Sequence, residues 1–149
     1  MEDAMRHILA FVLILLSAFS VWADDAVIAY VKTVTGEASV TTAGKQVKAE
    51  VGTPVMLGSK LKTGPKSSMG VTFKDETMMS LGADSELTVD EYLYAPAQGK
   101  LKMGSKLGKG SLNYVSGVIA KLKPDAVTIA TPSGSIGVRG TQFLVKVEE

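Results

Sequence analysis

The sequence predicts an all-β fold: one compact domain of many short, mostly antiparallel strands, a β-sandwich or β-roll, after an N-terminal signal-peptide helix. Three observations predict it. From Val27 onward, short runs of alternating apolar and polar residues are separated by Gly, Pro, Ser, Asp and Lys. No segment of that region sustains an apolar period of about 3.6, so no long helix is expected. The chain that follows the leader is of ordinary size for one domain and contains no cysteine, so packing must hold it together.

The leader comes first. Arg6 and His7 precede an apolar run from Ile8 to Trp22, and Val21-Trp22-Ala23 places small residues at the minus-three and minus-one positions. This reads as a secretory signal peptide over residues 1–23, cut between Ala23 and Asp24, which directs the domain at 24–149 to the periplasm or the medium. Glu2 and Asp3 are unusual in such a leader, and initiation at Met5 would remove both. The competing reading, an uncleaved membrane anchor, is set back because the run is shorter than the ~20 residues a spanning helix needs, and with the leader removed no membrane span is expected.

The strands follow in order. Val27, Ala29 and Val31 lead in, Ala38 and Val40 make the next run, and Ala43-Gly44-Lys45 turns the chain into Gln46 to Val51. Val55 to Leu61 leads through Thr63-Gly64-Pro65-Lys66 to Met69, Val71 and Phe73, which share one strand face. A tight connection at Asp75-Glu76 leads to Thr77, Met79 and Leu81. Leu87 and Val89 repeat the alternation, with Glu86, Thr88 and Asp90 outward. Ala95 to Gly99 reads as an exposed loop, after which Leu112 to Leu122 resumes the pattern. VSGVIAKL at Val115 to Leu122 has room for two helical turns, but Gly117 and the β-branched pair Val118-Ile119 favour strand. Met56, Met69, Met78, Met79 and Met103 read as core filler. Leu57-Gly58-Ser59-Lys60-Leu61 and Met103-Gly104-Ser105-Lys106-Leu107 echo one another, which suggests a reused turn in two similar β layers and not a repeat array.

The last stretch, Ala126 to Val147, reads as strand, turn, strand, with Val127 to Thr131 and Ile136 to Val138 flanking Pro-Ser-Gly-Ser. Ile136 and Val138 have one parity, and Phe143, Val145 and Val147 the other. Both sets can face one core only if a bulge at Gly140 absorbs a residue. That bulge would lay Arg139 against backbone between Gly137 and Gly140, pinned and paired to a carboxylate. Gly134, Gly137 and Gly140 stand at intervals of three with a strand after them, which is not the pattern of a phosphate loop.

Charge and composition remove several functions. A net charge of +1 with scattered charges gives no reason to expect a nucleic-acid partner. The single histidine, His7, lies in the leader, so the mature domain has neither His nor Cys. That excludes structural zinc, imidazole general-base catalysis and Ser-His or Cys-His nucleophiles, and no metal or cofactor is expected. Asp75-Glu76 and Asp90-Glu91 are candidate acid–base pairs for glycoside hydrolysis. Adjacent strand residues point to opposite faces, however, so each pair reads as a solvated turn or edge. Lysines 45, 48, 60, 62, 66, 100, 102, 106 and 109 are spread through the expected turns and edges, where they either deter edge-to-edge aggregation or favour an acidic partner.

The succession VGTPVMLGSKLKTGPKSSMGVTF, KDETMMSLGADSELTVDEY, KGSLNYVSGVIAKL and VTIATPSGSIGVRGTQFLV is similar to the FecR domain, the extracytoplasmic module of the iron-dicitrate signalling regulators. The resemblance runs from Val31 to Val147. It places the family motif on Thr131, Pro132, Gly137, Arg139, Gly140 and Thr141, read here as structural. Ser59 stands where the family often has Asp, and Glu76 where it often has Gly. Family regulators carry a cytoplasmic segment and a membrane helix ahead of this domain, whereas a signal peptide precedes it here. The resemblance therefore implies a non-enzymatic binding module that contacts a protein or an envelope polymer outside the cytoplasm. An extracytoplasmic signalling component acting through a separate membrane protein is the alternative. An envelope carbohydrate hydrolase is the third reading, set back by the missing histidine.

Overall fold

Apolar side chains at every second position bury one face of each strand, and the computed structural model, which describes residues 27–148, builds twelve strands this way. The leader and its cleavage site at Ala23 and Asp24 lie outside the described residues. In chain order the strands are β1 (Val27–Thr35), β2 (Ala38–Thr42), β3 (Lys45–Lys48), β4 (Pro54–Met56), β5 (Lys60–Thr63), β6 (Ser68–Phe73), β7 (Met78–Leu81), β8 (Glu86–Ala95), β9 (Lys100–Val115), β10 (Val127–Thr131), β11 (Gly134–Gly137) and β12 (Gln142–Val147). They form one curled sheet, nine of them in the order β3-β2-β5-β8-β9-β7-β6-β1-β4, with β10 and β12 also paired to β9 and β11 paired to β10. The all-β expectation holds.

Strand β9 joins the two halves of the curl. Its first part lies between β8 and β10, and its second part between β7 and β12. The sheet closes over one apolar core in which Val31, Leu61, Met69, Met79, Leu87, Leu107, Leu112 and Ile129 are almost fully removed from water. Such burial stabilises by roughly 1.5–3 kcal/mol per large side chain. Met69, Met79 and Met103 fill this core as expected. Met78 does not: it is 46% exposed, because its parity is outward.

The expected strand at Val115 to Leu122 is corrected. β9 ends at Val115, and Val118–Leu122 is a short helix, α1. Strand β10 runs parallel to β9, a pairing that cannot be closed by a tight turn. The helix and the 3-10 turn Pro124–Ala126 form the required crossover. All the other strand pairs are antiparallel. Among the described residues no helix is long and apolar enough to cross a membrane.

The repeated Gly-Ser-Lys-Leu turns out to be one registered row and not a turn used once in each of two layers. β5 and β9 flank β8 on its two sides, so Leu61 and Leu107 both face Leu87, and Lys60 and Lys106 both face Thr88. The two serines differ in satisfaction. Ser59 Oγ accepts the Met56 amide at 2.9 Å and meets Thr42 Oγ1 at 2.6 Å. Ser105 Oγ is buried and finds no partner among the described residues. Losing a satisfied buried hydroxyl costs about 1–3 kcal/mol, whereas removing an orphaned one costs little. Urea denaturation should therefore show Ser59→Ala destabilised by about that amount and Ser105→Ala unchanged or more stable. Equal midpoints for the two variants would contradict this assignment.

Candidate functional site

The odd-numbered positions from Met69 to Leu81 are buried without a break, and Asp75 is one of them, with no exposed surface. The expectation of a solvated Asp75-Glu76 turn is thus corrected for Asp75. The chain reverses between β6 and β7, yet parity carries the carboxylate inward along with Phe73 and Thr77. A buried carboxylate is tolerated only if its oxygens are hydrogen-bonded. Here Tyr92 Oη donates to Oδ1 at 3.0 Å, Thr77 Oγ1 donates to Oδ2 at 2.7 Å, the Ile119 amide donates to Oδ2 at 3.1 Å, and the Thr77 amide lies 3.4 Å from Oδ1.

These donors come from the β6–β7 turn, from β8 and from α1. The Val118 amide also donates to the Asp75 carbonyl, at 2.7 Å. Asp75 therefore caps α1 from another part of the chain. Gly117 at the helix start offers no side-chain cap of its own. It has to be glycine for another reason: a Cβ there would strike the Thr77 amide nitrogen and the Asp75 carbonyl oxygen. Burial pushes the Tyr92 phenol far above its ordinary range, and the negative charge of Asp75 pushes it further. Its ring stacks on Phe73 at 5.5 Å between centroids. Glu76 is exposed and holds a left-handed backbone at φ 71°, a position that suits the glycine often found there in the FecR domain.

The other acidic pair has a different setting. Asp90 is exposed at a bulge of β8, and Glu91 is bound to Lys102 at 2.8 Å. Among the described residues no group of three or more His, Cys, Asp or Glu could hold a metal ion.

The motif read from the C-terminal stretch is split in two. Thr131 and Pro132 belong to the tip of the β10–β11 hairpin, where Thr131 Oγ1 donates to the Gly134 carbonyl at 2.9 Å. Gly137, Arg139, Gly140 and Thr141 lie at the other end of β11, beside α1. There the Ser116 hydroxyl donates to the Gly140 carbonyl at 2.7 Å and the Ser116 amide to the Thr141 carbonyl at 2.8 Å. The expected bulge is corrected to a break: β11 stops at Gly137 and pairs with β10, whereas β12 starts at Gln142 and pairs with β9. Gly140, at φ 107°, permits that change of sheet partner.

Arg139 is corrected most. It is 87% exposed, not pinned, and its guanidinium lies 4.0 Å from the equally exposed Asp125. Val138 takes the buried place that parity allows on this strap, at 3% exposure, so the next residue points out. An ion pair in water of this kind contributes about 0–1 kcal/mol. Val138, Arg139, Asp125 and Ala120 line an opening of about 350 Å³.

A pH dependence follows from Tyr92. Its folded pKa is raised, so the stability it contributes is fully present below about 10, the unfolded value, and is lost as pH climbs toward the folded value. The melting temperature should fall steeply above about pH 10, and Tyr92→Phe, though less stable at neutral pH, should fall less steeply. Parallel slopes would show that Tyr92 is not the titrating group.

Residues 59–149 match the family model described as FecR protein. No curated protein and no solved structure matches the chain. The matched span opens at Ser59 and contains the Asp75 turn, β8, β9, α1 and the whole C-terminal strap, and its family is linked to extracytoplasmic signalling regulation. All the groups that meet at Asp75 are therefore family-domain groups, and the chain belongs to the FecR family.

Proposed function

We propose that the protein is a non-enzymatic extracytoplasmic binding module, working in the periplasm or outside the cell, which contacts a protein or an envelope polymer through the exposed strap at Arg139 and the outer edge of β12. The observation that carries this reading is the state of β12. It pairs with β9 on one side and with no described strand on the other. Leu144 on this strand is 69% exposed, beside a groove of about 450 Å³ lined also by Ile136, Arg139 and Lys146. An unpaired edge offers backbone donors and acceptors to an incoming strand, and an exposed leucine offers it an apolar anchor.

The binding reading is further supported by the way Asp75 is engaged. Its carboxylate oxygens are occupied by protein donors and it has no exposed surface, whereas a general acid or base needs an oxygen that can reach a substrate. Family membership favours a second reading, in which the same edge engages a separate membrane protein during signalling.

Immobilised protein should retain a partner from envelope extract, and Leu144→Lys combined with Arg139→Ala should abolish that retention. Both side chains face water, so the melting temperature of the double variant should stay within about 3 °C of the parent. Retention unchanged in the variant would sink the edge assignment. Turnover of an envelope glycan or peptide, lost in Asp90→Asn or Glu91→Gln, would overturn the non-enzymatic reading.

A further inference from the structure

The cross-strand register collects on one face lysines that are scattered in sequence. Antiparallel partners present their side chains on the same side of a sheet. One row across β3, β2, β5, β8 and β9 reads Lys48, Ser39, Lys62, Glu86, Lys109. The next row reads Gln46, Thr41, Lys60, Thr88, Lys106. The opposite face of the same strands carries Val40, Leu61, Leu87 and Leu107 into the core, so the lysine rows face solvent. Strands lie about 4.8 Å apart, so successive lysines along a row stand about 10 Å apart with a hydroxyl or carboxyl side chain between them.

Edge protection accounts for Lys48 on the edge strand β3 but not for the rest of the pattern. Lysines that deter aggregation belong on edge strands, whereas Lys60 and Lys62 lie on β5, between β2 and β8, and Lys106 lies on β9 between β8 and β10. The acid within the rows does not neutralise them. Glu86 binds Lys60 at 2.6 Å, and this hydrogen bond, followed by the charges of Lys60, Lys62 and Lys109, lowers its pKa. Lys48, Lys62, Lys106 and Lys109 form no ion pair among the described residues. A groove of about 660 Å³ lies at the β2–β3 end of the face, lined by Ser39, Gln46, Lys48 and Lys62 together with Glu37.

We propose that this face binds a linear acidic polysaccharide bearing carboxylates, with the lysines meeting the charges and Ser39, Thr41, Thr88 and Gln46 meeting the hydroxyls. The surface is separate from the β12 edge. Lysine is a compact point charge suited to single carboxylates, and the rows contain no arginine for bidentate phosphate contacts. They contain no aromatic ring on which a nucleic-acid base would stack. The rows themselves present no large apolar side chain of the kind that anchors a protein partner, Val47, 40% exposed, bordering only the groove at the β2–β3 end.

Affinity electrophoresis of the full chain through gels containing polygalacturonate tests this, with neutral dextran and double-stranded DNA as comparison matrices. Retardation by polygalacturonate and not by dextran is expected, weakening as salt rises because exposed charges are screened over about 8 Å at physiological ionic strength. Lys62→Ser combined with Lys106→Ser and Lys109→Ser should weaken it at least tenfold, while Lys121→Ser on the exposed side of α1, away from the rows, should leave it unchanged. Failure of polygalacturonate to retard the protein, equal retardation of the triple variant, or stronger retardation by DNA or by poly-glutamate would each overturn the proposal.

Discussion

A carboxylate without access to water must be satisfied entirely by protein donors, and Asp75 imposes that requirement on the centre of this fold. Its oxygens accept from a side chain two residues away, from Tyr92 on β8 and from the first turn of α1, 44 residues later in the chain. Each contact is a hydrogen bond to a carboxylate worth about 1.5–3 kcal/mol, and together they offset the cost of taking that group out of water, so deleting one donor leaves the cost uncompensated. Gly117 belongs to the same constraint, since only a residue without Cβ lets α1 approach the Asp75 turn so closely.

The position of the C-terminal strap follows from this anchor. α1 starts where Asp75 caps it, and its far end leads through the 3-10 turn into β10, laid parallel to β9. Just ahead of the helix, Ser116 holds the backbone of Gly140 and Thr141. The exposed strap and the edge of β12 are thus positioned by a rigid, buried polar centre, although neither touches it. The lysine face lies on the other half of the curl and depends on the register of β5, β8 and β9, a register that the Leu61, Leu87 and Leu107 row holds from the core side. The curled sheet so carries an uncovered edge and a basic face as independent surfaces.

Most strands were legible because alternation is a local signal. Met69, Val71, Phe73, Thr77, Met79 and Leu81 all lie on the face their parity predicts. Asp75 was legible by the same parity, but the general preference of carboxylates for water outweighed a pattern that in fact continued straight through it. The helix at Val118 was not legible, because its cap is supplied from a distant turn and Gly117, which argues against helix by propensity, is there for clearance. The exposure of Arg139 is not legible by parity, because the chain changes partners around Gly140 and resets its faces. The lysine rows needed register, which no single strand contains, although the echo around Ser59 and Ser105 was a trace of it.

The most direct measurement is amide hydrogen exchange on Asp75→Asn alongside its thermal melt. Asparagine keeps the size of the side chain but removes the charge and replaces one acceptor oxygen with a donor. If the carboxylate organises the fold as described, the amide of Ile119, which donates to it, should lose protection selectively, with a melting temperature lower by about 10 °C or more. A variant that melts within about 2 °C of the parent with the Ile119 amide still protected would show that packing alone holds α1 and the strap in place.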